Sequence, residues 1–208
     1  MLLAFDTATA RVTVALYDGH VLASHDADES MKHGELLAPA IAHVLDAAGA
    51  IPSDITAIAV GVGPGPFTGL RVGLVTARTM GFALEIPVYG MCTLDVLAAE
   101  AIDHGYQDFV VATDARRKEV YAAHYRDGHR VAGPQVIKPA DIATELPLVG
   151  AGGALYPDAF PQATALRLPR AAVLAQAVAD ERFELLDPEP LYLRRPDAMA
   201  PHAPKKVS

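Results

Sequence analysis

The chain has 208 residues, 51% hydrophobic and 20% charged, enough to bury a sizeable core as one domain or as two small lobes. Its formal net charge of -8 argues against a chain that grips nucleic acid by itself, because phosphate binding needs clustered Lys and Arg, and the runs Arg116-Arg117-Lys118, Arg194-Arg195 and Lys205-Lys206 are too short to reverse that balance. With no run of about 18 apolar residues, no signal-peptide pattern in MLLAFD and a single cysteine, Cys92, that cannot form an internal disulfide, a cytoplasmic location without membrane contact is expected.

Residues 2–6 (LLAFD) read as a short buried strand ending at Asp6. Beyond it Val12, Val14 and Leu16 alternate with Arg11, Thr13 and Ala15, the period of a half-buried strand, and Asp18-Gly19 marks a hairpin turn. Three antiparallel strands are expected. Residues 33–48 then carry helical periodicity in two stripes, Leu37, Ile41, Val44, Leu45 and Ala48 on one and Leu36, Ala40, His43 and Ala47 on the other, with Gly49 as the stop. Pro39 lies past the free first-turn position, which predicts a late start or a kink.

Residues 55–60 (ITAIAV) form an apolar run typical of a strand covered on both faces. Gly61, Gly63, Pro64, Gly65 and Pro66 break it, and helix formers run from Phe67 to Leu84. Gly69, Gly73, Ala77 and Gly81 are spaced four apart and stack on one helical face. Glycine inside a helix costs about 1 kcal/mol relative to alanine, so this groove of small residues needs something packed into it. The hinge GPGPFTGLR lacks the Gly-Lys-[Ser/Thr] ending of a phosphate loop, and its two prolines delete amides that would bind an anion. It reads as a strand-to-helix turn. A short strand at 87–89 and a helix at 93–102 follow.

After residue 105 the pattern repeats. DTATARVTVALYDGH from Asp6 and DARRKEVYAAHYRDGH from Asp114 each follow an apolar strand and lead to an Asp-Gly-His turn, 12 and 13 residues on. VGVGPG (60–65) has a counterpart in VGAGG (149–153), with a shorter intervening helix in PADIATEL. A last helix is expected over 171–182. The organisation predicted is a first lobe over 1–104, a smaller second lobe over 105–195 and a disordered Pro/Ala-rich tail over 196–208.

Two copies of strand, hairpin, helix, strand and helix resemble the two-lobed α/β fold of the actin, sugar-kinase and Hsp70 (ASKHA) superfamily, here with an internal duplication and a reduced second lobe. The resemblance implies a cleft between lobes, an Asp near phosphate and metal at the end of each first strand, and a glycine pair packed on a nucleotide. Asp6, Asp114, Gly150, Gly152 and Gly153 fall at those places. Yet neither turn after these aspartates contains glycine, which amides crowding a phosphate favour. Two uses of Asp6 and Asp114 therefore stay open: hydrogen bonding to turn or helix-end amides, or residual nucleotide or metal contact. The histidines include no His-x-x-x-His pair and the serines no nucleophile elbow, so no catalytic or metal-binding residue is assigned.

LLAFDTA (2–8), KHGELLAPAI (32–41), VGPGPFTGLRVG (62–73), TDARRKEVYAAHY (113–125) and PLYLR (190–194) together resemble the TsaB family across nearly the whole chain. That family is the bacterial non-catalytic subunit of the machinery making threonylcarbamoyladenosine beside the tRNA anticodon. The resemblance implies a catalytic paralogue, TsaD, an ATPase subunit, TsaE, homodimerisation when the paralogue is absent, and tRNA met only through the complex. No cofactor is intrinsic; ATP or ADP would belong to the complex. Asp6-Thr7-Ala8, His33-Gly34-Glu35 and Gly63-Pro64-Gly65-Pro66-Phe67 each lack a serine usual in the family, losses that a scaffold survives. The surface expected for the partner comprises Leu36, Ala40, His43 and Ala47 with Gly69, Leu70, Gly73, Ala77 and Gly81. The competing reading packs these helices on each other and on their own sheet. A different function, an active small-molecule kinase or ATPase of the same superfamily, predicts magnesium-dependent ATP binding sensitive to Asp6→Asn. A metallopeptidase has no metal ligands to support it.

Overall fold

The computed structural model describes residues 1–27, 32–142 and 144–194; the expected tail lies outside them. Each repeat builds one sheet. In the first, β1 (Leu2–Asp6) pairs antiparallel with β2 (Val12–Tyr17), which pairs antiparallel with β3 (Val21–Ala27). On its other side β1 runs parallel to β4 (Ala57–Gly61), and β4 parallel to β5 (Val88–Met91). The parallel pairings require crossovers, which α1 (His33–Ala47) and α2 (Phe67–Leu84) supply. After α3 (Thr93–Asp103), β6 (Asp108–Asp114), β7 (Val120–Arg126), β8 (His129–Ile137) and the two-residue β9 (Leu148–Val149) repeat the scheme in the order β8-β7-β6-β9. The short helix α4 (Gly152–Leu155) and α5 (Ala171–Ala179) complete the fold.

The two Asp-Gly-His segments differ. In the second, Asp127 (φ 50) and Gly128 (φ 80) form the whole turn and His129 opens β8, the pattern of a two-residue type I′ hairpin. In the first, His20 stays in the loop before β3 begins at Val21. PADIATEL yields only a 3₁₀ turn at Pro139–Asp141 rather than a helix. Helix α1 begins at His33, so the late start does not occur; Pro39 sits inside it on the solvent side, where a carbonyl that loses its intrahelical partner can face water. Helix α5 stops at Ala179, short of the expected end.

Strand β2 is buried on both faces rather than one. Val12, Val14 and Leu16 join the core under α1, with Leu37, Ile41 and Val44. The opposite face carries Ala15 and, on neighbouring strands, Ala4 and Ala59, and it is covered by Ala171, Leu174 and Ala175 of α5 together with Val96 and Ala99 of α3. A helix from the second half of the chain thus lies on the first sheet. Thr13 secures it: its Oγ1 accepts from the Ala171 N–H (2.8 Å), the first residue of α5, and donates to Asp26 Oδ1 (2.5 Å). The second sheet packs on α3 through Phe109, Tyr125, Leu94 and Leu97. Tyr125 Oη donates to Asp95 Oδ1 (2.6 Å), and Arg130 reaches both Asp95 oxygens at 3.2 Å. Cys92 is buried beside this group, and burial first, then the Asp95 charge, pushes its thiol up to about 12.

Thr13→Val keeps the shape but leaves the Ala171 N–H unbonded and removes the bond to Asp26. A loss of about 1–3 kcal/mol in denaturant titrations, with the circular dichroism of the folded chain unchanged, is expected.

Candidate functional site

The turn after β1 is closed. Asp6 is 0% exposed; its Oδ1 accepts from the Ala8 N–H (2.6 Å) and its Oδ2 from Thr93 Oγ1 (2.7 Å), which in turn accepts from the Gly63 N–H (3.2 Å). Burial pushes the Asp6 carboxyl up, against the opposing pull of the Ala8 and Thr93 hydrogen bonds. Thr7 Oγ1 donates to Gly69 O (2.8 Å) and accepts from the Gly73 N–H (3.1 Å), bridging two groups that an α-helix pairs four residues apart. His33 Nε2 meets Thr9 O at 2.7 Å. The glycines make this seat possible. A Cβ at Gly65 would lie 2.0 Å from Ala8 O, one at Gly69 2.4 Å from Thr7 O, and one at Gly73 2.4 Å from Thr7 Oγ1.

The small-residue face expected to meet a partner is therefore occupied by the chain itself. Gly69, Leu70, Gly73, Ala77 and Gly81 are all buried, Gly81 against Val88. On α1 the expected stripe divides, with Ala40 buried, Leu36 half-buried against the same core, and only His43 and Ala47 exposed. The reason is geometric: four-residue spacing shows that something approaches closely, and here that something is the turn at residues 7–9 and strand β5.

Between this turn and the second sheet lies a cavity of about 430 Å³, walled by Ala8, Thr9 and Pro66 on one side and by Thr113, Asp114, Arg116 and Arg167 on the other. Asp6 does not line it. Asp114 does, with Oδ1 accepting from the Arg116 N–H (2.7 Å) and Oδ2 paired with the Arg116 guanidinium (3.1 Å). The glycines expected against a nucleotide pack on protein instead. A Cβ at Gly150 (φ 106) would lie 2.3 Å from Ala112 O, at Gly152 2.9 Å from Ala112 Cβ, and at Gly153 2.4 Å from Ala163 Cβ. Among the described residues no group of three or more His, Cys, Asp or Glu could hold a metal ion.

Sequence reasoning missed two features. Arg116, Arg117 and Lys118 all have positive φ (61, 54 and 61), a conformation that costs non-glycine residues about 1–2 kcal/mol each. Hydrogen bonds from Ala115 N–H to Glu119 O and from Glu119 N–H to Arg116 O, both 3.0 Å, hold the loop, and Arg194 clasps it through Glu119 and Ala115 O. The second feature is the outward face of α2, where Phe67, Arg71, Val75, Arg78 and Phe82 point away from the core, Val75 62% and Phe82 88% exposed. Phe67 stacks on Tyr192 (5.4 Å) beneath the Arg71 guanidinium (3.8 Å). The signal for this face was present in sequence, since Phe67, Val75 and Phe82 fall opposite the glycine stripe.

A duplicated strand-hairpin-crossover fold with a cleft between its halves defines a protein of the ASKHA class. A family model described as TsaD, tRNA N6-adenosine threonylcarbamoyltransferase, matches residues 27–173. The tRNA threonylcarbamoyladenosine biosynthesis protein TsaB of Escherichia coli is 31% identical over 170 residues, 76% of this chain and 74% of that protein. An uncharacterized protein of Mycobacterium leprae is 42% identical over 204 residues, 95% of this chain, which spans 56% of that protein's length. The solved structure of YeaZ from Pseudomonas aeruginosa, 32% identical, matches with a TM-score of 0.78 over 92% of this chain and 99% of that one. The chain belongs to this family as a TsaB-type protein. No helix among its described residues is long and apolar enough to cross a membrane.

Because burial raises the Asp6 carboxyl, the folded chain holds its proton to a higher pH than the unfolded chain does. The stability it contributes is present below the ordinary aspartate value near about pH 4 and is lost as pH rises through the raised value. The stability difference between wild type and Asp6→Asn, followed by denaturant titration from about pH 4 to about pH 7, should move in the variant's favour as pH rises. A difference that does not change with pH would contradict the buried carboxyl.

Proposed function

We propose that the chain is a non-catalytic subunit of the machinery that makes threonylcarbamoyladenosine in tRNA, and that it docks the outward face of α2 on a TsaD-type catalytic paralogue. The observation that carries this reading is the closed turn. In the ASKHA class a phosphate would sit beside that turn, and here Thr7 is fastened into the helix while both Asp6 oxygens are engaged internally. The relatives named as TsaB biosynthesis proteins support the pathway. Val75 and Phe82 supply what a partner surface needs, exposed apolar side chains rimmed by Arg71, Arg78 and Glu189. Of the residues expected from sequence, His43 and Ala47 also stay available at the surface.

On this reading the chain needs no cofactor of its own. A TsaE-type ATPase joins the complex, ATP or ADP binds there, and tRNA is held chiefly by the partners, in keeping with the net charge of -8. Without the paralogue, two copies pair through the same face.

Phe82→Glu places a charge in the docking surface and should weaken binding to the paralogue about tenfold to a hundredfold, and dissociate any homodimer in sizing experiments, while leaving the melting temperature close to wild type. Gly73→Val, whose side chain would strike Thr7 Oγ1, should instead unfold the chain. Undiminished paralogue binding by both Phe82→Glu and Val75→Glu would overturn the assignment of the face.

A further inference from the structure

We propose that the cleft between the lobes is a binding site for a small organic oxyanion carried on an apolar body, held by Thr113, Arg116 and Arg167, and not a vestige of metal-dependent phosphoryl transfer. This inference is independent of the docking reading.

Three observations carry it. Thr113, near the end of β6, is 4% exposed and lines the cavity, yet its hydroxyl bonds to no group among the described residues. That hydroxyl opens on the cavity, where a ligand oxygen can bond it. Arg167 lines the same cavity and makes no ion pair among the described residues, and Arg116 reaches it while paired to Asp114. Two guanidinium groups against one carboxylate make the cleft locally positive in a chain whose net charge is -8. Finally, the loop that presents Arg116 is held in left-handed backbone over residues 116–118, the kind of stored strain that persists at ligand clamps.

The remaining walls set the ligand's other half. Ala8, Ala10, Pro66, Leu155 and Leu168 are apolar, and about 430 Å³ lies within the roughly 300–1,000 Å³ of small-molecule sites. A guanidinium fork suits a planar carboxylate or a phosphate, whereas nothing here suits a metal-bound polyphosphate: Asp6 is outside the cavity, Asp114 is engaged by Arg116, and Gly150, Gly152 and Gly153 pack on protein.

Titration calorimetry on the full chain tests this with inorganic phosphate, phenyl phosphate, benzoate, benzyl alcohol and magnesium-ATP as probes. Phenyl phosphate or benzoate should bind saturably at one site, about tenfold or more tighter than inorganic phosphate or benzyl alcohol, the stronger of the two identifying the preferred oxyanion. Arg167→Gln, a change at an exposed side chain, should weaken that binding about tenfold, and Thr113→Val about threefold or more; Lys138→Gln, an exposed change outside the cleft, should leave it unchanged. Failure of both aromatic anions to bind better than benzyl alcohol, binding indifferent to Arg167→Gln, or magnesium-ATP binding more tightly than either anion would each overturn the proposal.

Discussion

The seat of Thr7 on α2 is the contact on which the rest of the molecule depends. One hydroxyl satisfies both Gly69 O and the Gly73 N–H, and it can reach them only because residues 65, 69 and 73 have no Cβ. Once the turn is seated, Asp6 is enclosed between Ala8 and Thr93, β4 and β1 are held under α2, and the helix has a single way to face. Its glycine side is inside and its Phe67-Val75-Phe82 side is outside. The closure of that turn and the side of α2 left exposed thus follow from the same contact.

The second half of the chain plays a different part. Its sheet is shorter, its second crossover is reduced to a 3₁₀ turn, and its last helix leaves to cover the first sheet, pinned by Thr13. The segment after α5 continues in the same direction, pairing Leu186 with Gly90 and Leu191 with Val62 before Tyr192 stacks on Phe67. These returns tie the two halves together and leave a cleft that both halves line. Arginines occupy that cleft where the fold class would place glycine-lined phosphate contacts, which changes what it can hold.

Much of this was legible from local patterns. The alternation in residues 11–16, the Gly/Pro hinge and the four-residue glycine spacing gave β2, the strand-to-helix turn and α2 because each signal is carried by neighbours in sequence. The repeat from Asp6 and Asp114 gave the two sheets. What sequence could not supply was the identity of long-range partners. Glycine spacing shows a close approach but not whose, so in sequence the face that meets Thr7 reads as a surface for another subunit. Thr13 and Ala15 looked solvent-facing because the helix that covers them lies more than 150 residues away. Gly150, Gly152 and Gly153 are placed by likeness to a fold, whereas the structure packs the first two on Ala112 and the third on Ala163. Thr113 is an ordinary strand residue, and Arg116, Arg117 and Lys118 carry no glycine to announce a left-handed loop.

The most direct test of the central claim, that this chain supports catalysis without performing it, is an omission assay. Threonylcarbamoyl transfer to tRNA is followed with the catalytic paralogue and the ATPase, with and without this chain, alongside this chain alone with ATP. The proposed function predicts transfer that requires the chain and no turnover by the chain in isolation. Transfer indifferent to its presence, or ATP turnover by the isolated chain, would contradict the account.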